Sequence, residues 1–201
     1  MSSAPTVNRP PDYLGAERFI LSKLFRELSP KLTYHNAAHT QSVLEAALVI
    51  AAAEQIQEEE VRLLRIAVCF HDAGFLFVYA RHEEKGCELA RQYLPAFGLS
   101  QDEISQICGM ILATRFPQKP SSRLEQVIAD ADLDYLGREE VNEVARTLYE
   151  ELKTYGKIKS KKEWNHYQLR ILGDHFYHTA YSRALREPRK QQYLDQLRFA
   201  G

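Results

Sequence analysis

Apolar residues recur about every 3.6 positions along almost the whole chain, and this period constrains the fold more than any other feature of the sequence. It predicts helices over residues 14–28, 36–55, 58–70, 83–93, 100–114, 122–131, 139–153, 162–186 and 191–199. No segment sustains the apolar–polar alternation that is typical of a half-buried strand. The sequence therefore predicts an all-α fold, in which residues 1–12 form a mobile, proline-rich tail and residues 13–201 form one domain.

Overall charge and cysteine usage argue against several classes of protein. The 26 basic and 27 acidic residues give a net charge of −1, so bulk charge does not attract a nucleic-acid polymer. Cys69, Cys87 and Cys108 lie in apolar helical patterns without a C-x-x-C spacing, which indicates buried thiols rather than disulfides. No stretch is apolar enough to span a membrane or to act as a signal segment, so we expect a cytoplasmic protein without a membrane partner.

Two of the three motifs rich in histidine and aspartate lie in the first half of the chain. His35 and His39 are four residues apart and would share one face of a helix. His71 and Asp72 are adjacent, and adjacent residues on a regular helix point about 100° apart. They can reach one ion only at a helix end, which we expect Gly74 to provide by adopting a left-handed conformation.

The third motif contains Asp130, Asp132 and Asp134 at the close of an apolar helix. A carboxylate buried there is costly unless it is paired or binds a metal. Two or three imidazoles and one or two carboxylates suit a catalytic divalent ion with open coordination positions. The pattern predicts a metal site to which one of the three aspartates contributes, while the others support the ligands or only end the helix.

The order of these motifs, a histidine, then His-Asp, then an aspartate, resembles that of the HD-domain superfamily of metal-dependent phosphohydrolases. The resemblance rests on Tyr34–Thr40, Cys69–Gly74 and Ile128–Gly137, so it spans about half of the chain. It implies a single HD-domain helical bundle. It also implies that the metal ligands are His39, His71, Asp72 and Asp132.

Three residues receive catalytic roles from the same resemblance or from their positions. The Tyr-His-Asn-x-x-His motif resembles the cyclic-nucleotide phosphodiesterase branch, which implies that His35 donates a proton to the leaving oxygen. Imidazole suits this role because its ordinary pKa is about 6.5, although a structural role at a helix start is the alternative. Asp72 could also hold the attacking water or bridge to a second ion. His82, with Glu83, could contact the substrate or only begin a solvated helix.

We therefore expect a metal-dependent phosphohydrolase that uses a metal-activated water to cleave a phosphomonoester or phosphodiester of a small, nucleotide-like substrate. The ion would be Mg²⁺, Mn²⁺, Zn²⁺, Fe²⁺, Co²⁺ or Ni²⁺. One alternative is a catalytically silent HD-fold module that binds a nucleotide as a sensor. A di-iron oxygenase is disfavoured, because such members place two more histidines between the His-Asp pair and the final aspartate, where this chain has only His82.

Other polar residues have structural interpretations that compete with functional ones. Arg115 and Lys119 could bind a phosphate, but cations are common in loops. Packing is preferred over metal binding for the histidines of the predicted helix 162–186, since no third ligand has a suitable spacing. These histidines are His166, His175 and His178.

Overall fold

The computed structural model describes residues 10–199, and this range contains ten α-helices and no strand, which confirms the predicted all-α fold. Residues 1–9 of the predicted tail lie outside it. Asp12 already belongs to the folded structure, because its carboxylate accepts a hydrogen bond from Gly15 N and caps the first helix. The helices are α1 Tyr13–Glu27, α2 Ala37–Ala53, α3 Glu58–His71, α4 His82–Tyr93, α5 Gln101–Ala113, α6 Arg123–Asp132, α7 Val141–Thr154, α8 Lys161–Asp174, α9 Ala180–Leu185 and α10 Glu187–Phe199.

Helix α3 is the centre of the main core, where it contacts α1, α2, α4, α5 and α6. Leu64, Ile66 and Phe70 on this helix are completely buried, so it packs on several sides rather than along one stripe. The helix therefore delivers its last residue, His71, into the interior of the bundle. The three cysteines are buried free thiols, as predicted. No helix in the described part of the chain has the length and apolarity to cross a membrane.

The C-terminal third forms two smaller cores beside the main one. Leu148, Leu152 and Trp164 join α7 to α8 around Tyr34. Leu172 of α8 and Tyr193 of α10 belong to a second cluster, which also contains residues of the short 3₁₀ helix Asp134–Gly137 and its surroundings. These helices thereby cover the end of the bundle at which His71 lies.

The prediction of one continuous helix over residues 162–186 is wrong. Helix α8 ends at Asp174 and α9 begins at Ala180, with extended backbone at His175 and Thr179. The buried carboxylate of Asp130 accepts hydrogen bonds from the backbone N–H groups of His178 and Thr179, both at 2.8 Å, and from Thr179 Oγ1 at 2.6 Å. These three bonds to one buried carboxyl group outweigh the local helical pattern.

The expected left-handed conformation of Gly74 is also wrong. Gly98 and Gly156 are the glycines with positive φ in residues 10–199, whereas Gly74 lies in the short 3₁₀ helix Ala73–Leu76 that follows α3. Its role is steric, because a Cβ at this position would lie 2.0 Å from the carbonyl oxygen of His82. The absence of a side chain thus allows the start of α4 to approach the end of α3.

Candidate metal centre and its surroundings

Helix ends bring the four sequence-predicted metal ligands together. Asn36 caps α2 by accepting hydrogen bonds from Ala38 N and His39 N, which fixes His39 in the first turn. His71 is the last residue of α3, and Asp72 follows it as the C-cap. Asp132 is the last residue of α6. The four side chains therefore come from three helices, and one donor atom each of His39, His71 and Asp72 lie within 4.8 Å of one another.

Distances between the nitrogen and oxygen atoms of this cluster match those expected around one ion. His39 Nε2 lies 3.5 Å from Asp72 Oδ2 and 3.3 Å from Asp132 Oδ1. His71 Nε2 lies 3.3 Å and 3.5 Å from the same two oxygens. Two ligand atoms that are each roughly 2.1 Å from an ion, at a tetrahedral angle, would be about 3.4 Å apart. The separations are longer than those of good N–H···O hydrogen bonds.

The hydrogen bonding of these side chains also fits a metal. His71 Nδ1 lies 2.6 Å from Val68 O, so this nitrogen donates to the carbonyl and leaves the Nε2 lone pair directed at the cluster. Three atoms of the cluster are buried without a hydrogen-bond partner among the described residues: His39 Nε2, His71 Nε2 and Asp72 Oδ2. Such atoms are costly unless something satisfies them, and a divalent cation would do so.

The two carboxyl groups are ionised in this environment. Burial alone would raise their pKa, but the neighbouring imidazoles, in the protonated form that a bound metal would replace, outweigh it. They hold the pKa of Asp72 far below its usual range and lower that of Asp132 to about 2. The cluster therefore offers two anionic oxygens and two imidazole nitrogens to a cation.

His35 lies beside this cluster and is held by Glu151, a completely buried residue of α7. Glu151 Oε1 lies 2.5 Å from His35 Nδ1 and accepts a hydrogen bond of 3.0 Å from the Tyr79 hydroxyl. Its Oε2 accepts from the backbone N–H groups of Tyr34 and His35. Burial opposes the charged imidazole, but the hydrogen bond to Glu151 and the nearby carboxylates raise the pKa of His35 above its ordinary value.

Glu151 was not predicted from the sequence, although a signal for it exists. Leu148 and Leu152 are buried on the same face of α7, so Glu151 places an acid within an apolar stripe. A charged residue at a core position indicates a buried partner. The partner itself is 116 residues away in the chain and is revealed only by the fold.

His82 reaches the cluster from the first turn of α4. Its Nε2 lies 3.5 Å from Asp72 Oδ1 and 3.7 Å from Glu83 Oε1. The ring of Phe75 stacks on the rings of His35 and His82, and the centroid distances are 4.3 Å and 4.0 Å. Burial lowers the pKa of His82, which favours its neutral form. The three predicted catalytic residues, His35, Asp72 and His82, therefore lie together.

Other charged candidates have structural partners instead. Asp130 holds the segment before α9, as described above, and Asp134 binds the side chains of Arg138 and Arg186. Arg115 pairs with Glu84 at 2.5 Å rather than pointing into the cluster. Neither flanking aspartate contacts the proposed ligands directly.

The C-terminal histidines do not converge on a common ion. His175 is buried against Lys190, whose Nζ donates to His175 O at 2.5 Å and lies 3.3 Å from His175 Nδ1. His178 donates its backbone N–H to Asp130. His166 lies on α8, where its Nδ1 is 3.1 Å from Lys162 O. These positions agree with the structural interpretation.

Two concave spaces meet at the metal cluster. The first, which we call the aromatic chamber, is a cavity of about 250 Å³ that His35, Asp72, His82 and Asp132 border at one end. The second, the polar groove, has a volume of about 480 Å³ and is bordered by His39 and Asp132. Tyr34 and Tyr135 line both spaces, and their ring centroids are 5.7 Å apart. Further residues of the chamber wall include Leu148, Leu152, Trp164, Tyr167, Gln168, Ile171, Leu172 and Tyr193.

Solved structures with a similar fold come from several bacteria. A predicted HD superfamily hydrolase from an uncultured Thermotogales bacterium is 21% identical, with a TM-score of 0.62 over 96% of this chain and 92% of that chain. A Lactobacillus plantarum protein is 19% identical, with a TM-score of 0.66 over 92% and 96% of the two chains. Bacillus subtilis YpgQ, crystallised in complex with ADP, is 21% identical, with a TM-score of 0.60 over 94% and 96%. At these identities the likeness shows a shared fold.

Family-level comparison of the sequence agrees with the fold. No curated protein matches the chain. The model of the HD domain matches residues 36–134, a range that contains His39, His71, Asp72 and Asp132. This chain is therefore an HD-domain protein, with an all-α bundle built around the HD motif.

Proposed function

We propose that residues 13–201 act as one catalytic domain, a metal-dependent phosphohydrolase of a small, nucleotide-like phosphomonoester or phosphodiester. His39, His71, Asp72 and Asp132 would hold the ion. The observation that carries the proposal is the group of three buried, unpartnered ligand atoms beside a histidine whose ring is fixed by a buried carboxylate. An acid beside a metal centre is the arrangement that a phosphoester hydrolysis needs.

The residues divide the chemistry between them. A divalent ion bound here would polarise the phosphoryl oxygen and lower the pKa of a bound water. Glu151 accepts from Nδ1 of His35, so the Nε2 atom of His35 is the one available to give a proton to the leaving oxygen. His82, in the neutral form that burial favours, is placed to contact the substrate or, together with Asp72, a second ion.

Two of the comparisons support this reaction class. One protein with the same fold is described as a predicted HD superfamily hydrolase, and another was crystallised with ADP, a phosphorylated nucleotide. The low identity means that these observations support a substrate class by analogy only. A hydrolase that acts on a phosphorylated nucleotide is consistent with the two imidazoles and two carboxylates of the cluster. This donor set suits Mg²⁺ or Mn²⁺ as well as Zn²⁺, Fe²⁺, Co²⁺ or Ni²⁺.

The test compares the wild type with Asp72→Ala in metal content, measured by mass spectrometry, and in hydrolysis of a panel of phosphate esters with each divalent ion. We expect the variant to lose bound metal and at least 100-fold of the activity, roughly the contribution of a catalytic metal ligand. Asp102→Ala, at an exposed position of α5, is the matched control and should match the wild type.

Two results would contradict the proposal. Unchanged metal content and activity in Asp72→Ala would exclude this cluster as the catalytic centre. Metal-dependent binding of a nucleotide without turnover under any of the ions would instead favour the silent sensor module.

A further inference from the structure

Away from the metal cluster, where His35 is the proposed charged proton donor, the aromatic chamber has no positive side chain. Its ionisable groups near the metal cluster are His35, Asp72, His82, Glu83 and Asp132, and no lysine or arginine lines it within residues 10–199. A phosphate group deep in the chamber, beyond His35 and the metal cluster, would be a buried anion without a cationic partner, which is strongly disfavoured. The chamber is therefore suited to an uncharged part of a substrate, and a di- or triphosphate chain does not fit its chemistry.

One polar side chain of the chamber wall has a hydrogen-bond donor that a ligand could use. Gln168 on α8 is 8% exposed, and its Oε1 accepts a hydrogen bond of 2.9 Å from the Tyr193 hydroxyl. Its Nε2 has no hydrogen-bond acceptor in the part of the chain that the structure describes, and the residue lines the chamber. An amide donor that is held in place by a second residue and faces a cavity can select a ligand with an acceptor atom.

The two sides of the metal cluster differ in a way that orients a substrate. His35, the proposed proton donor, borders the chamber but not the polar groove, whereas His39 borders the groove but not the chamber. In a phosphoryl transfer, the leaving oxygen and the attacking oxygen lie on opposite sides of the phosphorus. Because the acid must contact the leaving oxygen, the leaving alcohol occupies the chamber and water enters from the groove.

We propose that the aromatic chamber binds the leaving alcohol of a phosphomonoester, and that this alcohol carries a neutral planar ring with a hydrogen-bond acceptor for Gln168. This inference rests on the proposed function. The volume of about 250 Å³ lies below the roughly 300–1,000 Å³ of sites for drug-sized ligands, which limits the alcohol to one or two rings. Trp164 and Tyr167, whose rings stack on each other with centroids 5.7 Å apart, give this part of the wall the aromatic character that suits such a ring.

The proposed step conserves atoms and charge. The P–O bond to the alcohol breaks, a new P–O bond forms to the oxygen of water, and the leaving oxygen takes the proton from His35 Nε2. The proton that the water loses returns His35 to its charged form, directly or through solvent. The products are the free alcohol and inorganic phosphate.

The first experiment measures kcat/KM for benzyl phosphate, the isomeric pyridylmethyl phosphates, glycerol phosphate and 4-carboxybenzyl phosphate, with the metal-loaded protein. We expect benzyl phosphate to exceed glycerol phosphate by about 100-fold, because the ring is buried, and to exceed 4-carboxybenzyl phosphate by at least as much, because its carboxylate would be buried without a lysine or arginine. One pyridylmethyl isomer should exceed benzyl phosphate by up to about tenfold, because its ring nitrogen accepts from Gln168.

Variants then test the role of Gln168. Gln168→Leu should remove the preference, so that the ratio of kcat/KM for the pyridylmethyl isomer to kcat/KM for benzyl phosphate falls to about one. Tyr193→Phe removes only the hydroxyl that holds Gln168 and should reduce the same preference. This variant provides the test if Gln168→Leu does not fold. Gln92→Leu, at an exposed position of α4, is the matched control.

The outcomes separate this inference from the proposed function. Equal or faster hydrolysis of glycerol phosphate or 4-carboxybenzyl phosphate, or a pyridyl preference that survives in both variants, would overturn the inference while hydrolysis itself stands. If no ester is hydrolysed, the proposed function fails. Calorimetric binding of benzyl, pyridylmethyl and glycerol phosphonates then tests whether the chamber binds a planar ring. The same order of affinities would support it as a binding site, and no preference for rings would overturn it.

Discussion

Replacing Glu151 by glutamine tests whether the buried carboxylate acts through His35. The substitution keeps the shape of the side chain and removes its charge. Glu151 accepts four hydrogen bonds, from Tyr34 N, His35 N, His35 Nδ1 and the Tyr79 hydroxyl. An amide has one acceptor oxygen, so its NH₂ group must face one pair of these donors.

The structure gives a magnitude for both stability and activity. The mismatch of one buried donor pair should lower the free energy of unfolding by about 1–3 kcal/mol. A domain of ordinary stability, about 5–15 kcal/mol, remains folded after such a loss. Without the carboxylate His35 loses the interaction that favours its charged form, and the contribution of a positioned general acid, about 10²–10⁴-fold in rate, should disappear.

The assay compares two leaving groups. Benzyl alcohol needs a proton as it leaves, whereas p-nitrophenolate is stable as an anion. We therefore expect Glu151→Gln to lose about 10²–10⁴-fold in kcat on benzyl phosphate and less than about tenfold on p-nitrophenyl phosphate. Metal content should equal that of the wild type, and Glu150→Gln, at the exposed neighbouring position, should show neither effect.

An equal loss on both substrates, with metal content intact, would refute the reasoning, because a defect in proton donation must depend on the leaving group. A loss of bound metal would show instead that Glu151 maintains the cluster itself.

Two further predictions concern stability. In urea unfolding, Gly74→Ala should lower the free energy of unfolding by about 1–3 kcal/mol, because the new Cβ would overlap the His82 backbone. Gly173→Ala, whose Cβ meets no atom within 4 Å, should raise it by about 0.5–1 kcal/mol by stabilising α8. Equal effects of the two variants would contradict the steric role of Gly74. Burial, with help from Lys190 and His178, lowers the pKa of His175 from 6.5 to about 3. The folded state therefore binds fewer protons than the unfolded state below pH 6.5, and stability falls as the solution is acidified. From pH 6.5 to about pH 5 the wild type should lose about 1–2 kcal/mol more than His175→Gln, and parallel stability curves would contradict this origin.

The sequence was most informative where the chemistry is carried by neighbouring residues. His71 and Asp72 are adjacent, and the resemblance to the HD-domain superfamily implied His39 and Asp132 as their partners. In the fold, His39 lies 3.5 Å from Asp72, and Asp132 lies 3.5 Å from His71. The all-α class followed from the apolar period alone. Both are properties that a short window or a fixed order of motifs can encode.

Features that depend on distant contacts were missed. Glu151 was not linked to His35, because local periodicity does not tell which buried partner an acid meets. The break after Asp174 was missed because the apolar period continues through it, while the bonds that hold it come from Asp130, 48 and 49 residues earlier than their donors. Gly74 was identified as important, but its reason is the approach of His82 rather than a backbone angle.

The bonds from Asp130 to the segment before α9 have a consequence for measuring the metal centre. Asp130 and Asp132 lie two residues apart on α6, so a restraint on one limits the motion of the other. The amide hydrogens of His178 and Thr179 exchange with solvent when their bonds to Asp130 open. An ion that restrains Asp132 should slow that exchange, although neither amide belongs to the proposed ligand set. The rate of hydrogen exchange at two amides of the C-terminal third should therefore report metal occupancy without any substrate.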